Sequence, residues 1–198
     1  IAFIDEIIAL YKLGRISYLE TSERGAAEIG LMLSRKSPEK IYEVSKKFVG
    51  TLSLNNFYSY TKPVISYLKS VGYKIVLVTN EPDFLAEDLK LLIGADDAIG
   101  LDFEIKNGEF TNRVENYLFS KFGKVEIVKK YIQENEVEIE SSFAMGDSEG
   151  DIEMIKFLKR GVMVTNSNEM RKQFEGMNVF VLSRGDEEVI EAVKTLAL

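Results

Sequence analysis

In the first thirteen positions apolar residues fall at 1, 4, 7, 8, 10, 11 and 13, the spacing of one helical face and not the period-two alternation of a strand. Gly14 ends that pattern. Residues 17–33 repeat it, with Glu and Arg set between Ala, Ile, Leu and Met. Ser37-Pro38-Glu39 then supplies an N-cap and a first-turn proline for a helix running to about Val49. Residues 1–58 therefore read as all helical.

Near Lys62-Pro63 the pattern changes. A helix to Val71 leads through Gly72 into residues 74–78, Lys-Ile-Val-Leu-Val, a continuous apolar run of the kind buried on both faces of a parallel sheet. From there helix and strand alternate. The pattern predicts a helix from Pro82 to about Ile93, a strand at 98–101, a hairpin at 103–110 around Asn107-Gly108, and a helix at 124–135. A strand at 142–145, a helix to about Lys159, strands at 162–165 and 179–182, and a closing helix opened by Asp186 complete the chain. This order predicts an α/β fold, a doubly wound parallel sheet over residues 59–198, preceded by a small helical lobe over residues 1–58.

Composition narrows the chemistry. A chain of 198 residues that is 45% hydrophobic suits one domain, or a core with a small second lobe. Its apolar runs fall short of the roughly 20 residues a membrane span needs, and the first residues lack a signal pattern, which predicts a soluble, cytoplasmic chain. Cysteine is absent, which removes disulfides, thiol nucleophiles and zinc-thiolate sites. Histidine is absent too, so Ser-His-Asp and Cys-His catalysis and imidazole metal ligands are excluded. Catalysis must rest on Asp, Glu, Lys, Arg, Ser, Thr or Tyr, with a hard metal ion. A formal charge of −7 without a Lys/Arg stripe argues against a nucleic-acid partner.

Three polar positions at strand-helix junctions carry the candidate chemistry. Residues 142–151, Ser-Phe-Ala-Met-Gly-Asp-Ser-Glu-Gly-Asp, run from a strand into Gly146 and Asp147, with Asp151 following. Such a turn presents a hard carboxylate ligand, suited to Mg²⁺, at the rim of the sheet where ligands bind. The alternative is an N-cap, with Asp147 or Ser148 capping a helix that begins near Glu149. Thr79, directly after the 74–78 strand, and the N–H of Asn80 at the start of the next helix would face an anion, or else cap that helix. Lys124 opens a helix where the dipole disfavours a cation, so it either meets a bound anion or is a solvated lysine.

Taken together, these residues resemble the haloacid dehalogenase-like superfamily hydrolases, within them the phosphoserine phosphatase-like group. Leu77-Val78-Thr79-Asn80 resembles that superfamily's second motif, Lys124 its third, and Gly146-Asp147-Ser148-Glu149-Gly150-Asp151 its fourth. The turn Lys106-Asn107-Gly108-Glu109 is similar to the group's hairpin, and Gly14-Arg15-Ile16-Ser17-Tyr18 is similar to its helical cap. The resemblance implies residues 1–58 as the cap and 59–198 as the α/β core. It also implies a Mg²⁺-dependent phosphate monoester hydrolase acting on a small phosphorylated metabolite through an aspartyl-phosphate intermediate. On that reading Asp147 and Asp151 belong to the metal site, Thr79, Asn80 and Lys124 hold phosphate, and Thr79, Lys124 and Asp151 are the catalytic set. Arg15, Tyr18, Glu20 and Arg24 fall where the group places substrate-recognising cap residues. Two departures set this chain apart from the phosphoserine pattern. Thr79-Asn80-Glu81 replaces Ser-Gly-Gly, and Gly150 replaces the Asn before the last aspartate.

The first motif, Asp-x-Asp-x-Thr/Val, is missing from the sequence. Asp5 follows Ile1-Ala-Phe-Ile4, but Ile7 stands where the second aspartate belongs and the segment reads as helix. In the family's sheet the nucleophile strand is central, so its loss would leave two strand edges unpaired. The expectation is a chain that lacks an upstream segment. Two competitors remain: an inactive relative that binds a phospho-ligand or a protein partner, and a phospho-accepting receiver domain. The latter carries its acidic pair ahead of the Thr, the reverse of the order here.

Overall fold

In the computed structural model, which describes residues 2–183 and 188–198, helices and strands alternate as the sequence predicts. The helices are α1 (Ala2–Lys12), α2 (Tyr18–Leu33), α3 (Pro38–Val49), α4 (Thr61–Ser70), α5 (Asp83–Ile93), α6 (Gly123–Glu134), α7 (Ile152–Leu158), α8 (Asn168–Lys172) and α9 (Glu188–Leu196). The strands are β1 (Val76–Pro82), β2 (Asp97–Leu101), β3 (Phe103–Lys106), β4 (Glu109–Val114), β5 (Ala144–Gly146), β6 (Arg160–Val164) and β7 (Asn178–Leu182). Short 3₁₀ turns occupy Leu54–Asn56 and Glu149–Asp151. Asp186, expected to open the last helix, lies outside the described residues, and the five-residue α8 has no counterpart in the sequence reading. Among the described residues no helix is long and apolar enough to cross a membrane.

The chain divides into two compact units, Ile1–Ser53 with Val76–Gly123, and Leu54–Ile75 with Lys124–Leu198. In the first, β1 and β2 pair in parallel across the α5 crossover, with Leu77 opposite Ala98 and Val78 opposite Ile99. The register then shifts, so that Pro82 comes to lie opposite Leu101. That shift corrects one expectation. β1 continues through Thr79, Asn80 and Glu81, and the helix starts only at Asp83, so the Asn80 N–H is a strand group and not a helix N-terminus. Asn107 and Gly108 have φ of 55° and 80°, the two left-handed positions a type I′ turn requires, which is why the β3–β4 hairpin forms there.

Helices α1–α3, the segment expected as the cap, share this unit with the hairpin. The Arg35 N–H donates to the Phe110 carbonyl at 2.8 Å and the Phe110 N–H donates to the Lys36 carbonyl at 3.0 Å. The rings of Tyr42, Phe84 and Phe110 meet at centroid distances of 5.7 to 6.2 Å, joining α3, α5 and β4. Buried Ser45 on α3 donates to Asp88 on α5 at 2.6 Å.

The second unit is a three-stranded parallel sheet ordered β5-β6-β7. β6 shows why helices cover both of its faces. Val162 and Val164 point into a cluster with Val64 and Leu68 of α4 and Val189 and Val193 of α9. Met163, on the opposite face, packs with Val125 of α6 and with Met154 and Ile155 of α7. A strand whose alternate residues are all buried must be sandwiched. The α/β fold with parallel sheets is therefore present, with β1–β2 in one unit and β5–β7 in the other. Among the described residues β1 pairs only with β2 and β5 only with β6.

Candidate functional site

The chain end of β5 carries a cluster of polar contacts centred on Asp151. Gly146 closes the strand opposite Met163, and the backbone then turns through Asp147 and Ser148 into the 3₁₀ turn that carries Asp151. A side chain on Gly146 is excluded, because its Cβ would lie 2.3 Å from Asp151 Cβ and 2.5 Å from Asp151 Cγ. Asp151 thus presses its carboxylate onto the strand end. Its Oδ2 accepts the Asp147 N–H at 3.1 Å, the Ser148 N–H at 3.0 Å and the Ser148 hydroxyl at 2.7 Å. Its Oδ1 accepts the Lys124 ammonium at 2.8 Å.

Lys124 and Asp151 are 8% and 5% exposed, so this ion pair is taken out of water. Burial pushes the Asp151 carboxyl up. The charge and hydrogen bond of Lys124, with the hydrogen bonds from Ser148, outweigh that and hold it below the ordinary carboxylate range. Lys124 sits in the first turn of α6, where unpaired backbone N–H groups and the helix dipole favour an anion over a cation. Among the described residues Asp151 is its one hydrogen-bond partner. An ammonium has three donors, so two remain for another acceptor.

Lys124, Asp147 and Asp151 are thus brought together in one unit, with Asp147 half-buried at the rim. The N-cap reading of the 142–151 segment is realised, since Ser148 is the N-cap of the Glu149–Asp151 turn, in a capping-box arrangement with Asp151. Thr79 and Asn80 stand in the other unit, at the end of β1. The Thr79 hydroxyl oxygen accepts the Glu81 N–H at 3.2 Å, and Asn80 Oδ1 is buried without a hydrogen-bond partner among the described residues. Asn116, which the sequence reading passed over, donates to the Gly100 carbonyl at 2.9 Å and likewise buries an unpartnered Oδ1. No local pattern marks it in the sequence. Ser148 was also passed over as a functional side chain, although Ser-x-x-Asp at a helix start is a legible capping signal.

The acidic side chains beside β1 are shifted the other way from Asp151. Burial raises Glu81, although its side chain as a whole keeps solvent access. Burial also raises Asp83, with Asp102 and Glu87 adding repulsion against the lowering effect of the Phe84 N–H. Among the candidate cap residues, Arg24 and Glu20 pair with each other at 2.6 Å on the exposed face of α2, Tyr18 packs edge-on against Tyr11, and Arg15 is exposed in the α1–α2 turn. Asp5 is exposed within α1.

Among the described residues no three His, Cys, Asp or Glu side chains lie close enough to hold a metal ion as a cage. A Mg²⁺ ion that keeps waters and phosphate oxygens needs only one or two carboxylates, and Asp147 fits that role. Asp151 fits it poorly as a direct ligand, because both of its oxygens are already engaged.

The site thus places a strand-end carboxylate and a buried lysine in one unit of an α/β fold, and comparison with known proteins gives the family. Residues 4–156 match the family model described as haloacid dehalogenase-like hydrolase, and the chain belongs to that family. Within it, the chain is 30% identical over 111 residues to the phosphoserine phosphatase of Archaeoglobus fulgidus, covering 56% of this chain and 32% of that protein. It is 30% identical over 92 residues to the phosphoserine phosphatase of Methanocaldococcus jannaschii, covering 46% of this chain and 44% of that protein. The chain thus spans less than half the length of these curated relatives. Its fold matches a phosphoserine phosphatase solved as a phospho-aspartyl intermediate analogue, with a TM-score of 0.67 at 18% identity over 98% of this chain and 85% of that one. A Bordetella pertussis protein of unknown function matches with a TM-score of 0.73 at 20% identity, over 89% and 79% of the two chains.

Proposed function

We propose that the chain is the phosphate-handling part of a Mg²⁺-dependent phosphate monoester hydrolase, acting on a small phosphorylated metabolite in the cytoplasm through an aspartyl-phosphate intermediate. The observation that carries this reading is Lys124. A nearly dry ammonium that spends one donor on Asp151 is poised to give the others to an oxyanion. Asp147 would hold Mg²⁺, which supplies charge neutralisation at the phosphate oxygens. Thr79 and the Asn80 N–H are the phosphate-binding candidates at the end of β1, and Asp151 acts through Lys124 and through the loop that carries Asp147. Residues 1–58 serve as the cap that selects the substrate, with Arg15, Tyr18, Glu20 and Arg24 as its contacts, and residues 59–198 as the α/β core.

The attacking carboxylate is not among these residues. Asp5, the one in-chain candidate, is a helical surface residue. That observation favours a second reading, a relative that binds a phospho-ligand without turning it over. Release of phosphate from p-nitrophenyl phosphate with Mg²⁺, run beside calorimetric binding of orthophosphate, separates the two. The hydrolase reading expects both signals, with Asp147→Asn abolishing Mg²⁺-dependent turnover. Binding without turnover selects the second reading, and turnover that survives Asp147→Asn rejects the metal assignment.

A further inference from the structure

The Ser148 hydroxyl is unexplained by the ligand roles assigned so far. Capping the Glu149–Asp151 turn needs only a side chain that serves the turn's own backbone. Here the hydroxyl, besides its place in the capping box, donates to a carboxylate that already accepts two backbone N–H groups. At 2.7 Å it is also the shortest of the three contacts on Asp151 Oδ2.

A carboxylate offers about four lone-pair sites, two on each oxygen, so the distribution of donors over its oxygens decides what is left for a neighbour. With three donors on Oδ2, the Lys124 ammonium finds its place on Oδ1 alone, at 2.8 Å. Without the hydroxyl, Oδ2 loses its shortest donor and keeps only the two backbone N–H groups, at 3.0 and 3.1 Å. More of the carboxylate's charge is then left on that oxygen, and an ammonium already bonded to the adjacent one is drawn toward both.

Resting on the phosphate-holding reading above, we propose that Ser148 is a positioning residue: its hydroxyl occupies Asp151 Oδ2 and so keeps the Lys124 ammonium on a single oxygen, with its remaining N–H groups directed to a bound oxyanion. It never touches that oxyanion. Its effect runs entirely through Asp151 and Lys124, and it is a feature of this chain's own residues within one compact unit.

The test uses the full chain, labelled so that the ¹⁵Nζ resonance of Lys124 and the carboxyl ¹³C resonance of Asp151 are resolved, with neither phosphate nor metal added. Ser148→Ala should move both resonances, and Ser148→Thr, which keeps the hydroxyl, should restore both. In parallel calorimetry, Ser148→Ala should weaken orthophosphate binding about tenfold while Ser148→Thr stays within about twofold, as the redirection of one charge-assisted donor requires. If Ser148 only caps the turn, Ser148→Ala lowers the melting temperature and moves the Asp151 resonance, which loses a direct hydrogen bond, but leaves the Lys124 resonance in place, and the proposal is overturned. Should Ser148→Ala fail to fold, Ser148→Cys replaces it. The weak thiol donor should shift the resonances part of the way, and resonances identical to wild type would overturn the idea equally. If wild type binds no orthophosphate while the resonances respond as expected, the phosphate-holding reading falls and the positioning of Lys124 by Ser148 stands.

Discussion

Removing either partner of the Lys124–Asp151 pair should have unequal consequences, because the two are not equally supported. Without Lys124, Asp151 still accepts the Asp147 N–H, the Ser148 N–H and the Ser148 hydroxyl. Without Asp151, the Lys124 ammonium keeps no hydrogen-bond partner among the described residues. Stripping a buried charge of its counterion costs about 3–5 kcal/mol. For a chain of this size that is a fall of roughly 10 °C in melting temperature for Asp151→Asn. Lys124→Met also takes the counterion from buried Asp151, but three donors still face that carboxylate, so the loss should be smaller, about 2–3 kcal/mol and roughly 7 °C. The double variant should recover part of the Asp151→Asn loss, because the orphaned cation is gone.

The pH dependence follows from the direction of the Asp151 shift. A carboxyl held below its unfolded value stabilises the fold above the ordinary aspartate range, near 3.9, and that contribution disappears as pH falls through the lower folded value. The gap between wild type and Asp151→Asn should therefore be flat from neutral pH to about pH 4 and close below it. Thermal melts followed by circular dichroism over that range check both points. Equal losses for the two single variants, or a larger loss for Lys124→Met, would refute the asymmetry argued from the contacts.

Other outcomes follow from neighbouring geometry. Gly146→Ala would place a Cβ 2.3 Å from Asp151 Cβ, and the overpacking should lower stability by about 3 kcal/mol, measured by urea titration. Gly25→Ala, in the middle of α2 with nothing within 4 Å of the added Cβ, should raise it by about 0.5–1 kcal/mol in the same assay. Asp83 is held above the ordinary carboxylate range, so its contribution is present in acid and lost as pH rises. Asp83→Asn should accordingly raise the melting temperature at pH 7, with the gain vanishing below about pH 4.

Much of this architecture is legible in the residues, for identifiable reasons. Residues 75–78 and 161–164 are runs with no polar side chain, and most of each falls in a strand of a parallel sheet. Asn107-Gly108 forces a turn because few other pairs accept two left-handed positions. The extension of β1 through Thr79-Asn80-Glu81 was not legible. Those polar residues stay in the strand because of where β2 lies and how the register shifts, and no local pattern encodes a partner elsewhere in the chain. The candidate site shows the same division. Gly146, Asp147 and Asp151 announce themselves by spacing, and Lys124 by a cation at a helix start. The saturation of Asp151 by the donors of its own loop, and the buried carboxamide of Asn116, arise from packing that only the folded chain displays.

The backbone bonds between Arg35, Lys36 and Phe110 bear on how this protein can be dissected. A fragment cut at residue 58, the boundary that hydrophobic patterning suggests, would leave the Phe110 amide and carbonyl without their partners and strip Tyr42 from the rings of Phe84 and Phe110. Recombination at that point during evolution would have met the same penalty. The leading helices and the hairpin are therefore best swapped, expressed or deleted as one block, whatever separate roles they take once the molecule is at work.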